Sequence, residues 1–393
     1  MKVYLAKSAA AGAQSVALDD MILTKALPTT AGSKMLDGYM SLFDATVVEK
    51  LEQAGYSVAG KLNVGEFAFD VMGERSYYGA VKTADGAYGS ASAAALDEGE
   101  IAAVVTLDVN GAPRRSAAQS GKVFIKPTYG TVSRYGTVPV ACSGETVGVM
   151  ANTSDSAKAV LSAIAGYDCK DGTMHPQSKI DASMTAAKPK KIAFLTGFDT
   201  EEAVSAKLDA FKTACESAGV ETAQVDGSVF KLASSAWNIL MCAELCNNVS
   251  RYDGIKYGYR SKEYTTIDEL YTNSRTEAFG DELKAAILYG SDVLSTKNYM
   301  PVYDKALRVR RVMVEAFGEL FAQYDAVVLP ACSKMAYGDA DVAPYACYRE
   351  NLYTAPASIS GLPAVVCAGV QVVGKAFSDG MLLELAKIAE EGK

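Results

Sequence analysis

The stretch DATVVEKLEQAGYSVAGKL, residues 44–62, decides the fold class of this chain. In its first half, apolar residues recur at the spacing of one helical face, at Val47, Val48, Leu51 and Ala54. Asp44 precedes this pattern as the predicted N-cap, and Gly55 is predicted to close the helix. The short, β-prone sequence YSVAGKL follows at once, so a helix and a strand are predicted to adjoin here.

The same alternation of helix and strand returns further along the chain. Helical patterns occupy residues 154–168 and 201–220, and the strand-like KPKKIAFLTG, residues 188–197, precedes the second of them. The small-residue stretch ADGAYGSASAAALDEGE, residues 84–100, fits either tight packing or a mobile loop. Alternating helices and strands predict an α/β fold built in layers.

Residues 168–191 are rich in turn-forming residues and interrupt this pattern. We interpret them as the connection between an N-terminal half, residues 1–167, and a C-terminal half, residues 192–393, of one domain that spans residues 1–393. A long surface loop is the other interpretation.

Composition and charge exclude several classes of function. The chain has 393 residues, of which 49% are hydrophobic and 21% charged, and its formal net charge of −8 does not favour binding to the phosphates of a nucleic acid. Eight cysteines without a CxxC pair fit a reducing compartment, so we expect a cytoplasmic protein. We expect no signal peptide and no membrane span, because no uninterrupted apolar run approaches about 18 residues.

Few residues propose a site by themselves. His175 is the only histidine and lies among turn formers, so we expect a surface residue and no conventional Ser-His-Asp triad. Cys242 and Cys246 have i, i+4 spacing and would bind a metal only with further ligands; buried structural cysteines are the simpler interpretation. The basic RVRR, residues 308–311, fits an anion site or a solvated helix face.

The stretch LDVNGAPRRSA, residues 107–117, has the outline of a turn that holds a nucleophile. Gly111 would allow the backbone to crowd a reacting carbonyl, but the next residue is Ala112. A methyl group has no lone pair with which to attack. The sequence therefore keeps the frame of such a turn without its chemistry.

Several longer strings resemble the amidase signature family, and within it the A subunits of glutamine-dependent aspartyl/glutamyl-tRNA amidotransferases. They include KPTYGTVSRYGTV at 126–138, TVGVMANTSDSAKAVLSAIAGYD at 146–168, RYDGIKYGYR at 251–260, PVYDKALRVRRVM at 301–313 and YTAPASISGLPAVV at 353–366. The similar strings cover nearly the whole chain in the same order. The resemblance implies the amidase signature fold, a mixed β-sheet sandwiched between helices.

The resemblance also implies a triad of a Ser nucleophile, a second Ser that relays the proton and a Lys that acts as a neutral base. Counting from the similar strings places Ala112 at the nucleophile, Tyr88 at the relay and Asp19 at the base. An Asp with a reference pKa of about 3.9 is too weak a base to replace a neutral amine. We expect these three positions to be non-functional.

The same comparison assigns the oxyanion turn and the substrate contacts. The oxyanion turn corresponds to Val109, Asn110 and Gly111. Arg310 matches the Arg that holds the glutamine carboxylate, Asn351 matches the Asp that holds its amino group, and Tyr259 matches a tyrosine near the ligand. An Asn lacks the charge that strengthens such a hydrogen bond, so we expect weakened glutamine binding. The resemblance implies no metal and no cofactor.

Two hypotheses of function compete. The first is a non-catalytic binding or scaffold subunit that pairs with other amidotransferase subunits or with an active homologue, without membrane or direct nucleic-acid contact. The second is an enzyme with relocated catalytic groups, chosen from Ser33, Lys34, Ser116 and Cys142. A Ser or Cys within hydrogen-bonding reach of a Lys beside the Gly111 turn would favour the second. A decaying paralogue without a role is a third interpretation.

Overall fold

Strands from both ends of the chain join in one sheet. The computed structural model describes residues 2–8 and 14–391. Within them, eleven strands hydrogen-bond in the order β1-β3-β2-β4-β6-β5-β10-β11-β9-β7-β8. The strands are β1 Tyr4–Lys7, β2 Ser15–Asp19, β3 Ser57–Leu62, β4 Ala103–Asp108, β5 Val123–Lys126, β6 Thr146–Ala151, β7 Lys191–Thr196, β8 Glu221–Asp226, β9 Ala326–Leu329, β10 Ala364–Cys367 and β11 Val370–Gly374.

Helices flank this sheet, as the resemblance predicted. They are α1 Thr46–Gln53, α2 Ala91–Asp97, α3 Ala112–Ser120, α4 Ser154–Ile164, α5 Gln177–Ser183, α6 Glu202–Ser217, α7 Leu232–Val249, α8 Ile267–Ala278, α9 Asp281–Val293, α10 Lys305–Phe321, α11 Ala346–Ser360 and α12 Asp379–Glu391. One group, α1, α4, α6 and α12, packs in a chain of contacts, and α7 packs against α9, α10 and α11.

The sheet is mixed, which confirms the predicted fold class. β2 lies parallel to both β3 and β4, whereas β6 lies antiparallel to β4 and β5. In the parallel pair β2–β4, Leu18 lies opposite Val105. Because parallel strands end at the same edge of a sheet, Asp19 and Asp108 are brought to one edge, and the LDVNGAPRRSA turn leaves from there.

The segments predicted from periodicity are present. The helix and strand of residues 44–62 are α1 and β3, and Gly55 follows the helix with φ +85°. The prediction that Asp44 caps α1 is wrong. Ala45 occupies the N-cap without a side-chain hydrogen bond, while Asp44 Oδ1 accepts from the Lys25 backbone N–H at 2.8 Å. The Asp44 carboxylate also pairs with the Lys25 ammonium at 2.9 Å, so Lys25 competes successfully for it.

Residues 84–100 and 168–191 each contain a short helix. In the first segment, α2 buries Ala91, Ala95 and Leu96 and packs on α3, so its small residues serve tight packing there. The second segment contains α5 and leads directly into β7. β1–β6 come from residues before this segment and β7–β11 from residues after it.

Helix α7 explains two features of the sequence. In the described part of the chain, the helical run Ser228–Val249 alone has the length and composition of a membrane span. Its apolar side chains, Trp237, Leu240 and Leu245 among them, are buried against neighbouring helices. Cys242 and Cys246 are buried in the same helix, as predicted for structural cysteines. Packing in the core therefore accounts for the apolar character of α7.

The basic and histidine positions are also resolved by packing. Arg308 and Arg311 are exposed and pair with Asp304 and Glu315 one turn away, as expected for a solvated helix face. His175 is half-buried, and its ring meets the Phe377 ring edge-on at 4.8 Å.

A fully buried ion pair links β3 to the segment after β2. The Lys61 ammonium lies 3.1 Å from Asp20 Oδ1, and neither side chain is exposed. Lys61 also donates to the Thr29 hydroxyl at 2.9 Å, and Asp20 Oδ2 accepts from the Thr30 N–H at 2.8 Å. Burial lowers the pKa of Lys61, and the Asp20 charge opposes that shift.

We expect Lys61→Met to destabilise the fold strongly, because it leaves the buried Asp20 carboxylate without its cation. Losing one partner of such a pair costs about 3–5 kcal/mol. Urea unfolding followed by circular dichroism measures the change in free energy of unfolding. Lys191→Met is the matched control, since the Lys191–Glu221 pair is exposed and should matter little. Equal losses in the two variants would contradict the prediction.

Candidate functional site

The turn between β4 and α3 is held by its own side chains. Gly111 has φ +91°, and a Cβ placed on it would overlap the Thr354 side chain of α11. The Gly111 N–H donates to Asp108 Oδ1 at 2.9 Å, and the Ala112 N–H donates to Asn110 Oδ1 at 3.3 Å. Both amides are therefore engaged within the turn rather than directed at a ligand.

Two buried arginines on α3 fix the turn from below. Arg114 forms two hydrogen bonds with the Asp108 carboxylate, at 2.7 and 3.1 Å. Arg115 donates to the Asn110 backbone oxygen at 2.9 Å and to the Thr354 hydroxyl at 3.0 Å. The predicted oxyanion turn, Val109 to Gly111, is thus part of the packed interior.

Ala112 faces a small polar cavity. Its volume is about 50 Å³, enough for water but not for a glutamine molecule. Asp19 from β2 lines the same cavity, together with Ser90 and Ser116. The structure therefore brings two of the three predicted triad positions, Asp19 and Ala112, to one place.

Asp19 is fully buried and accepts three hydrogen bonds. Its Oδ2 accepts from the Thr106 hydroxyl and the Leu107 N–H, both at 2.6 Å, and its Oδ1 accepts from the Met21 N–H at 3.0 Å. Burial raises the pKa of Asp19 to about 6, against the effect of these bonds and of Lys61. The carboxylate ties the end of β2 to β4.

Tyr88 lies outside the cavity that contains Ala112. Its hydroxyl donates to Asp339 at 3.0 Å, and the Lys82 ammonium lies 4.3 Å from the centre of its ring. It lines a separate cavity of about 640 Å³, which has Met72, Ser90 and Ser116 in common with the smaller one. The larger cavity is within the usual size range of small-molecule sites.

Ser90 is the hydroxyl that the structure places beside Ala112. Its Oγ shares a short hydrogen bond with Ser116 Oγ and accepts from the Ala93 N–H as the N-cap of α2. Ser116 follows Ala112 by one turn of α3 and is buried. Sequence reasoning named Ser116 but missed Ser90. A Ser directly before an alanine-rich helical run is an N-cap signal that could have drawn attention to it.

The three predicted substrate contacts lie apart. The Tyr259 hydroxyl donates to Glu277 at 2.7 Å, and Arg310 donates to Ser143 Oγ at 2.8 Å. Asn351 is fully buried, and in the orientation that satisfies its neighbours its amide donates to the Asn110 backbone oxygen at 3.0 Å. No hydrogen bond joins any two of the three in residues 14–391, and none lines the cavity at Ala112.

The residues considered for relocated chemistry are also dispersed. Ser33 donates to Glu66 at 2.6 Å, and the Lys34 ammonium lies 4.2 Å from the Tyr259 ring centre. Burial raises the pKa of the Cys142 thiol to about 11, which keeps it protonated near neutral pH. Among the described residues, the hydroxyl nearest the turn, Ser116, is hydrogen-bonded to Ser90 and not to a lysine. These residues also contain no group of three or more His, Cys, Asp or Glu side chains arranged to hold a metal ion.

The comparisons with known proteins agree with the resemblance read from the sequence. The family model described as Amidase matches residues 15–383. Two A subunits of glutamyl-tRNA(Gln) amidotransferases are similar along most of their length. The one from Janthinobacterium sp. (strain Marseille) is 35% identical, with 94% of this chain and 82% of the relative covered. The one from Francisella tularensis subsp. tularensis (strain FSC 198) is 36% identical, with 93% and 80% covered.

Solved structures give the same family. Among solved A subunits of glutamyl-tRNA(Gln) amidotransferases, the crystal structure from Thermotoga maritima superposes with a TM-score of 0.80 at 28% identity, covering 99% of this chain and 87% of that one. A 6-aminohexanoate cyclic dimer hydrolase shares the fold, with a TM-score of 0.81 at 18% identity, covering 100% and 90%. With a family model over residues 15–383 and relatives above 30% identity along most of their length, this chain belongs to the amidase family.

Proposed function

We propose that this chain is a catalytically degenerate relative of the A subunits of tRNA amidotransferases and serves as a binding or scaffold subunit. The observation that carries the proposal is the cavity at Ala112, which presents a methyl group and a buried carboxylate where the family chemistry needs a Ser and a Lys. A side chain without a lone pair cannot form an acyl-enzyme. Glutaminase chemistry by the family mechanism is therefore absent.

The hydrogen bonds around the cavity support this proposal. Three donors occupy the Asp19 carboxylate, so its lone pairs serve the junction of β2 and β4. The N–H groups of Gly111 and Ala112 donate to side chains of their own turn, so neither is directed at a developing oxyanion. The groups that remain at this turn stabilise the protein rather than a transition state.

The names of the relatives indicate the kind of partner. They are subunits of tRNA amidotransferases, so we propose that this chain pairs with other amidotransferase subunits or with an active homologue. We also propose a cytoplasmic location, because Cys242, Cys246 and Cys347 are free thiols, as expected in a reducing compartment.

One observation favours the alternative, an enzyme with relocated groups. The hydrogen-bonded pair Ser90–Ser116 borders both the small cavity with Asp19 and the larger cavity with Tyr88. Asp19 could then act only as a weak base, since a pKa of about 6 remains far below that of an amine. This alternative is less well supported because no lysine approaches the pair in the described hydrogen bonds.

We expect the purified protein to release no ammonia from glutamine or asparagine and to leave simple amides intact. A coupled ammonia assay at neutral pH, with an active amidotransferase as the positive control, measures this. Turnover that is abolished by Ser116→Ala or Cys142→Ala would show that the catalytic site lies elsewhere than assigned and would favour the alternative.

We expect Ala112→Ser to fold normally and to remain inactive. One hydroxyl at the half-buried first position of α3 adds little volume, and no base beside it can remove its proton. Thermal unfolding and the same ammonia assay check the two halves of this prediction. Ammonia release by Ala112→Ser alone, absent from Ala112→Val, would mean that a competent base already lies in the cavity.

The partner is tested by a pull-down with tagged protein from the native cell, followed by mass spectrometry. We expect another amidotransferase subunit or an active amidase to co-purify in stable proportion. Recovery of the tagged chain without either would count against the scaffold role in its family-specific form.

A further inference from the structure

A second cavity lies away from the Asp19–Ala112 cavity and shares no lining residue with it. Its volume is about 480 Å³, within the usual range for small-molecule sites. It lies between α7, α9 and the start of α11, and we call it the tyrosine cavity after its aromatic walls, Phe69, Tyr289, Tyr345 and Tyr348.

The walls of the tyrosine cavity are held in place before any ligand arrives. The Tyr348 hydroxyl is 2.8 Å from the Ser235 hydroxyl, and Ser234 donates to the Tyr348 backbone oxygen at 2.7 Å. Phe69 is buried, and its backbone oxygen accepts from the Asn110 amide at 2.7 Å. Fixed aromatic rings lower the entropic cost of binding.

Tyr345 marks the mouth of this cavity. Its φ of +65° lies in the left-handed region that non-glycine residues rarely adopt, and its side chain is 66% exposed. Its backbone N–H donates to the Glu282 carboxylate, so Glu282 helps to hold this conformation. Tyr289 and Tyr348 are also partly exposed, at 39% and 42%, so several tyrosine side chains remain accessible.

Glu282 is the only charged residue in the lining, which contains no Lys, Arg or His. Its Oε2 accepts from Arg75 Nε at 2.9 Å. Glu74 lies near enough to raise the pKa of Glu282, so Arg75 balances only one of two carboxylates. The cavity therefore combines aromatic walls with an excess of negative charge.

We propose that the tyrosine cavity binds a small organic cation, an ammonium group that carries an apolar or aromatic body. Aromatic faces attract cations within about 6 Å of the ring centre, more strongly when water is excluded. The Glu282 carboxylate supplies the counter-charge, and the apolar walls accept the body of the ligand. The site does not depend on whether the cavity at Ala112 is catalytic.

Isothermal titration calorimetry with 2-phenylethylammonium tests the proposal, with 2-phenylethanol as a neutral molecule of similar shape. We expect the cation to bind at least about tenfold more tightly than the alcohol. Tyr289→Leu should weaken cation binding by about tenfold, because it removes an aromatic face and keeps an apolar side chain. Tyr289→Phe should keep it.

Tyr167→Leu is the matched control, since Tyr167 is an exposed tyrosine that does not line the cavity. Glu282→Gln should also weaken the cation, with circular dichroism to confirm that loss of the Arg75 pair leaves the fold intact. Equal affinities for the cation and the alcohol would overturn the proposal. So would equal losses in Tyr289→Leu and Tyr167→Leu, or the absence of binding at millimolar cation.

Discussion

A buried ion pair between Asp108 and Arg114 holds the centre of this structure together. Neither side chain is exposed, and the guanidinium reaches both carboxylate oxygens. Its other N–H groups donate to the Thr354 backbone oxygen at 2.7 Å, to Gln371 at 2.8 Å and to the Ser358 hydroxyl at 2.5 Å. Because an arginine cannot lose its charge in the interior, every donor must meet an acceptor, and this requirement fixes β4, α3, α11 and β11 relative to one another.

The turn between Asp108 and Arg114 keeps its shape under the same constraint. Gly111 packs against Thr354 so closely that no other residue fits its backbone conformation there. The Asn110 side chain donates to the backbone oxygens of Phe69 and Asp70. A turn embedded in this way persists for reasons of packing, and the residue at position 112 can be an alanine without loss of the frame.

Polar groups around this turn serve the fold where an enzyme would use them on a substrate. The Asp19 carboxylate directs its lone pairs at Thr106, Leu107 and Met21, and the Asn351 amide is directed at the Asn110 backbone oxygen. Buried polar groups must be satisfied, and in this interior neighbouring protein atoms satisfy them. Space for a ligand is found instead in the cavities of about 640 and 480 Å³, whose walls include tyrosine side chains.

The sequence by itself determined the helices and strands, the family and the alanine at the start of α3, because periodicity, turn residues and ordered similar strings are properties of neighbouring residues. It did not determine which side chains meet. Asp44 pairs with Lys25 instead of capping α1, and Ser90 rather than Tyr88 lies beside Ala112. Those contacts join residues 19 to 26 positions apart in the chain, so only the register of the sheet and the packing of α2 on α3 decide them.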